Sequence, residues 1–110
     1  MESNVLNNKE QAIEIIKRLV NQSLPGSQIL LFGSRASGKD SVDSDYDLLI
    51  ITEETLSEQR RRYYQATLRK KLAEYKIPAD IIIYSHREVQ NKKKIFGHIV
   101  RDIIKEGTTL

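Results

Sequence analysis

The feature that most constrains the fold is an uninterrupted apolar run near the middle of the chain. All four residues from Leu48 to Ile51 are apolar, within a segment from Tyr46 to Thr52 that has the character of a β-strand. Successive side chains of a strand point to opposite faces of its sheet, so a strand that is apolar at every position needs cover on both faces. The run therefore predicts a buried strand with packing on each side.

The remaining segments divide into helices, strands and one long loop. Capping-box patterns at Thr55–Glu58 and Ser85–Glu88 indicate helix starts, and Gly107 is a plausible C-cap. Helices are predicted from about residue 8 to 22, from Thr55 to about Tyr75, and along the apolar stripe Ile95–Ile104. Strands are predicted at Gln28–Phe32, Tyr46–Thr52 and Ala79–Tyr84. A loop with room for one helical turn is predicted at Gly33–Ser44.

This order of elements predicts a small mixed sheet. The second and third strands are joined through a helix, so we expect them to be parallel, whereas a loop of about a dozen residues joins the first two, which favours antiparallel neighbours. The fold class is therefore α/β (α+β), with about three strands packed with helices, in a single domain over residues 1–110.

Three carboxylates and a Gly-Ser turn are expected at one end of this sheet. Asp45 and Asp47 stand two residues apart at the start of the second strand, so they share a face. Antiparallel pairing brings them beside the Gly33-Ser34 turn that ends the first strand, and parallel pairing brings Asp80 to the same edge. Carboxylates held close repel one another, and a divalent cation such as Mg²⁺ or Mn²⁺ relieves that repulsion. Metal carboxylates beside a phosphate-binding turn point to phosphoryl or nucleotidyl transfer with two metal ions.

Other interpretations of the same residues fit less well. Gly33–Lys39 matches a P-loop as far as the lysine, but the next residue is Asp40 instead of Ser or Thr. Asp43, Asp45 and Asp47 imitate a calcium loop, but Leu48 replaces the glycine that its sharp turn requires. A solvent-exposed turn would explain Asp45 and Asp47 by themselves. It would not explain why they follow the Gly-Ser turn at this spacing while Asp80 stands on the next strand. Asp43 itself is interpreted as a loop charge.

The stretch resembles the signature of the DNA-polymerase-beta-like nucleotidyltransferases. It has Gly33-Ser34, ten residues, then Asp45-Tyr46-Asp47 before a hydrophobic residue, and its Gly-Ser-Arg-Ala-x-Gly opening is similar to that of the minimal nucleotidyltransferases, or MNT proteins. The segment at Asp80 resembles the strand that carries the third carboxylate of that family. The resemblance implies a nucleotidyltransferase fold.

The resemblance also implies roles for these residues. Asp45 and Asp47 would bind the metal ions that bridge the triphosphate of ATP, and Asp80 would hold the metal that activates the attacking hydroxyl. The remaining implied ligands contact or neutralise the β- and γ-phosphates: Gly33, Ser34, Arg35 and Lys39. The implied enzyme is a Mg²⁺-dependent nucleotidyltransferase that transfers a nucleoside monophosphate to a hydroxyl acceptor.

The partner implied by the resemblance is a helical HEPN toxin, which the chain would adenylylate as its antitoxin. Two alternatives stay open: a subunit of a small-molecule nucleotidyltransferase of the antibiotic-modifying kind, and an antitoxin that only binds. The absence of cysteine excludes disulfides and thiolate zinc sites, and no apolar stretch is long enough for a membrane span, so we expect a cytoplasmic protein.

Basic residues on the second long helix are a weaker indication of a partner. Arg60, Arg61 and Arg69 are predicted to share one face, which is a secondary candidate for docking an acidic partner or RNA. The net charge of +3 is too small to indicate nucleic-acid binding by itself. His86 and His98 lack a third ligand at zinc spacing and are interpreted as surface or capping residues.

Overall fold

A computed structural model describes residues 2–41 and 44–110, with side chains from residue 9 onward. It contains five helices and four strands in these described ranges. In chain order they are α1 (Glu2–Ser23), β1 (Gln28–Phe32), α2 (Ser34–Ser37), β2 (Tyr46–Thr52), α3 (Glu58–Glu74), β3 (Ala79–Ser85), α4 (His86–Lys92), α5 (Ile99–Glu106) and β4 (Thr108–Thr109). None of the helices in the described ranges is long and apolar enough to cross a membrane.

The four strands form one mixed sheet in the order β3-β2-β1-β4. β1 and β2 are antiparallel, and β2 and β3 are parallel, which confirms both predicted pairings. The central β2 is buried as the apolar run required, since Leu48, Leu49 and Ile50 are fully inaccessible to solvent. Tyr46, Leu48 and Ile50 pack with α1 and α3. Leu49 and Ile51 pack with α4 and α5 on the opposite face.

The fourth strand is a finding that the sequence did not predict. Thr108 and Thr109 pair with Leu31 and Leu30 of β1 in antiparallel register. A strand of two exposed residues has no alternating pattern from which it could be recognised. Gly107 is the C-cap of α5, as predicted, but its backbone is extended rather than left-handed because the chain continues directly into β4.

Two predicted helix starts were wrong. α1 begins at Glu2 instead of near residue 8, because no Gly or Pro interrupts the segment before the apolar periodicity starts. α3 begins at Glu58, and its N-cap is Ser57, whose hydroxyl accepts a hydrogen bond from the backbone N–H of Arg60. The Thr55 hydroxyl instead forms a 2.7 Å hydrogen bond with the Ser85 hydroxyl, outside the helix.

The C-terminal apolar stripe does not lie on one helix. The chain leaves α4 at Lys92, turns through Gly97 with a positive φ of 84°, and begins α5 at Ile99. Ile95 and Phe96 lie in this turn and are exposed. His98 is the N-cap of α5, since its Nδ1 accepts a hydrogen bond from the Val100 N–H, which confirms a capping role for that histidine.

Candidate active site

The candidate site lies at the sheet edge where β1 ends and where β2 and β3 begin. Asp47 and Asp80 occupy directly paired positions of the parallel strands, so their side chains share a face. Asp45 immediately precedes β2 and is exposed, as is Asp80, whereas Asp47 is partly buried. The structure therefore brings the three predicted carboxylates to one edge, on the face covered by α4 and α5.

The electrostatics of Asp47 depend on its burial and on its two acidic neighbours. Burial raises the pKa of Asp47 above its ordinary value, and the charges of Asp80 and Asp45 raise it further. A divalent cation would remove this repulsion, and carboxylate oxygens are the ligands that Mg²⁺ prefers, so the donor set fits such an ion. Within the described ranges, no three acidic or histidine side chains form a metal-binding group, so the carboxylates share an edge without forming the tight cluster that the sequence predicted.

The turn after β1 lies directly against Asp47. Phe32 is paired with Asp47 in the sheet, and Gly33 follows with φ 74° and ψ −156°, a conformation that is essentially restricted to glycine. A Cβ atom at Gly33 would collide with Oδ2 of Asp47. The predicted phosphate-binding turn and the predicted metal carboxylate are therefore in contact, and the absence of a side chain at Gly33 is what permits it.

Ser34 begins the single helical turn α2, which the loop was predicted to accommodate. Its carbonyl oxygen accepts hydrogen bonds from the Lys39 N–H, at 3.1 Å, and from the Ser37 hydroxyl, at 3.2 Å. Lys39 follows Gly38 and is exposed. The predicted loop residue Asp43 lies outside the described residues.

Arg35 spans the loop between α2 and β2. Its guanidinium forms a 2.9 Å ion pair with Asp40 and donates two hydrogen bonds to the Ser44 carbonyl, from Nε at 3.1 Å and from Nη2 at 2.9 Å. It also lies over the Tyr46 ring, 4.3 Å from the centroid. Through these contacts Arg35 holds Ser44 and Tyr46, the residues on both sides of Asp45. The position of Arg35 in the motif did not reveal this role.

The basic face predicted on α3 is not a uniform surface. Arg61 has only 12% of its side chain exposed, pairs with Glu88 at 2.8 Å, and donates a hydrogen bond to the Ile83 carbonyl. Arg61 is thus a link between α3, β3 and α4, which contradicts its prediction as a docking residue. Arg60 and Arg69 are exposed.

Comparisons with known proteins identify the family of this chain. The model of the family described as polymerase beta, nucleotidyltransferase, matches residues 9–109. A curated relative, the probable protein adenylyltransferase MntA of Haemophilus influenzae, is 42% identical over 48 residues, which are 44% of this chain and 42% of the relative. The match thus spans less than half the length of that relative.

Two solved structures share the fold. A toxin–antitoxin complex with AMP-PNP contains a chain with a TM-score of 0.60 and 23% identity, covering 89% of this chain and 70% of that one. A tri-AMPylated Shewanella oneidensis HEPN toxin bound to its MNT antitoxin gives a TM-score of 0.55 and 19% identity, covering 91% and 69%. With a family model that matches nearly the whole sequence and a mixed sheet that carries the expected carboxylates, the chain belongs to the polymerase beta nucleotidyltransferase family.

Proposed function

We propose that this chain transfers AMP from ATP to a hydroxyl group of a partner protein. The observation that carries the proposal is the contact between the Gly33 turn and Asp47, whose paired neighbour is Asp80. This arrangement holds a phosphate-binding backbone beside two carboxylates on one face. The protein adenylyltransferase named among the relatives and the AMPylated toxin in one structural neighbour support AMP and a protein acceptor.

Asp45, Asp47 and Asp80 would hold Mg²⁺, with Mn²⁺ as a substitute. When bound, a divalent cation supplies positive charge to the triphosphate and increases the acidity of the attacking hydroxyl. Gly33 and Ser34 bind the β- and γ-phosphates through backbone N–H groups and the serine hydroxyl. Asp47, which is central and partly buried, is the carboxylate whose negative charge most needs a cation.

The reaction balances as a substitution at the α-phosphorus. The acceptor oxygen forms a bond to that atom, the bond to the oxygen that bridges to the β-phosphate breaks, and pyrophosphate leaves. The hydroxyl proton passes to the carboxylate of Asp80, which is exposed and therefore reachable by an acceptor on another protein. Lys39 neutralises the phosphates, and Arg35 positions Asp45 through its bonds to Asp40 and the Ser44 carbonyl.

The partner we propose is a helical HEPN-type toxin, and its modification makes this chain an antitoxin. The experiment is to express the chain with the helical protein encoded beside its gene and to measure the intact masses of both proteins. We expect the partner to gain whole AMP units with the wild type and with Glu74→Gln, a change at an exposed residue at the end of α3, and to gain none with Asp47→Asn. A tight, neutralising complex without any mass gain would establish a binding antitoxin instead.

A further inference from the structure

The outer edge of β3 is the edge of the sheet that carries Asp80. In the order β3-β2-β1-β4, no strand in the described ranges pairs with β3 on the side away from β2. The backbone groups of a strand alternate between its two edges, so every second carbonyl of β3 lacks a partner strand. Ile81 and Ile83 are buried, and buried carbonyl groups need hydrogen-bond donors from the protein.

Two side chains of α3 supply these donors. Gln65 Nε2 donates a 3.0 Å hydrogen bond to the Ile81 carbonyl, and Arg61 Nη1 donates one to the Ile83 carbonyl. Four residues of a helix rise about 6 Å and two residues of a strand rise about 6.6 Å. Two donors one helical turn apart therefore match alternate carbonyls of a strand that runs in the opposite direction, and these two bonds take the place of a further strand.

The Gln65 bond lies at the start of β3, next to Asp80. On the inner edge of the strand, the Tyr46 N–H donates a 2.9 Å hydrogen bond to the Pro78 carbonyl, two residues before Asp80. The start of β3 is therefore held from both edges, by one bond before Asp80 and by one bond after it. Asp80 is exposed, and the position of its carboxylate depends on how firmly this segment is held.

We propose that Gln65 is a positioning residue for Asp80 in AMP transfer. The proposal rests on the proposed function and adds to it a residue that lies outside the motif. Without the Gln65 bond, the start of β3 is attached on one edge only, and its separation from β2 varies more. Asp80 then meets the acceptor hydroxyl less often in the productive geometry, whereas the Gly33 turn that binds the phosphates follows β1 and stays in place.

The test replaces Gln65 with leucine, which has a similar size and donates no hydrogen bond. Gln59→Leu is the matched control, because Gln59 is an exposed glutamine on the same helix. Gln65→Lys is the rescue variant, because its ammonium group can donate to the same carbonyl. For each chain, kcat of AMP transfer to the partner and KM for ATP are measured at a temperature at which thermal unfolding shows every variant to be folded.

We expect Gln65→Leu to lower kcat about tenfold and to leave KM for ATP unchanged, because a buried carbonyl loses its donor beside Asp80. Gln65→Lys should restore most of kcat, and Gln59→Leu should change neither constant. In the free chain, the Ile82 amide faces β2, and its hydrogen exchange should become about tenfold faster in Gln65→Leu. The amides of β1 should exchange as in the wild type.

The two measurements separate this role from the proposed function. Unchanged exchange at Ile82 in Gln65→Leu would mean that the bond does not hold the strand, and the proposal would be overturned. Faster exchange with an unchanged kcat, or an equal fall of kcat in Gln59→Leu, would overturn it as well. A wild type that transfers no AMP would instead refute the proposed function, and the role of Gln65 in transfer with it.

Discussion

Gly33→Ala tests the contact between the phosphate-binding turn and the carboxylate. At φ 74° and ψ −156°, an alanine costs about 1–3 kcal/mol of backbone strain. Its methyl group would also overlap Oδ2 of Asp47, and because β2 is held between β1 and β3, the side chain of Asp47 must rotate while its strand stays in place. An off-rotamer side chain adds about 1 kcal/mol, so the expected loss in free energy of unfolding is about 2–4 kcal/mol.

Gly38→Ala is the matched control for this substitution. Gly38 has φ 79° and ψ 10°, and a Cβ atom there meets nothing within 4 Å. The left-handed conformation costs about 1–2 kcal/mol, and the effect of an added methyl group on the unfolded chain is the same in both variants.

Urea unfolding and ATP binding distinguish the two variants. We expect Gly33→Ala to be less stable than Gly38→Ala by about 1–2 kcal/mol, a difference of roughly 5–10 °C in melting temperature. We also expect Gly33→Ala to lose ATP affinity and Gly38→Ala to keep it. Equal stabilities, or full ATP affinity in Gly33→Ala, would refute the contact as the reason for the glycine.

Three other substitutions give independent checks. Asp47→Asn should raise the free energy of unfolding at neutral pH. Because folding raises the pKa of Asp47, the wild type is most stable below the ordinary pKa of the carboxyl and loses stability as the pH rises through the raised pKa. Urea unfolding at a series of pH values should no longer show this loss in the variant. Burial alone would raise the pKa of Glu88, but hydrogen bonds from Arg61 and Ser85 outweigh burial and lower that pKa. Glu88→Gln should therefore reduce the free energy of unfolding by about 1–3 kcal/mol at neutral pH. This difference should disappear as acid protonates the wild-type carboxylate. Asp80→Asn should retain most of the ATP affinity measured by calorimetry and lose AMP transfer measured by intact mass; an equal loss of both would contradict its separate role.

Local pattern was sufficient for the elements that position the site. The bounds of β1 and β2 agree with the prediction at Gln28, Phe32, Tyr46 and Thr52, because apolar strands end where polar turns begin. The second capping box was also confirmed, since Ser85 and Glu88 exchange both hydrogen bonds. The prediction from the first box was wrong because the Thr55 hydroxyl forms a hydrogen bond with Ser85, which is distant in sequence and is not part of a local pattern.

The sequence by itself determined which chemical groups the chain carries and the sheet edge at which three of them meet. Alternation along strands and the chirality of connections are local rules, and they predicted the parallel pairing that, in the observed register, places Asp47 and Asp80 on one face. Only the tertiary structure decided the contacts between distant or irregular segments: Gly33 against Asp47, Arg61 in its ion pair with Glu88, and Gln65 at the outer edge of β3. Such contacts depend on how the helices pack over the sheet. Packing is determined by the shapes of the side chains and by the space between the elements, and the spacing of residues along the sequence does not predict either.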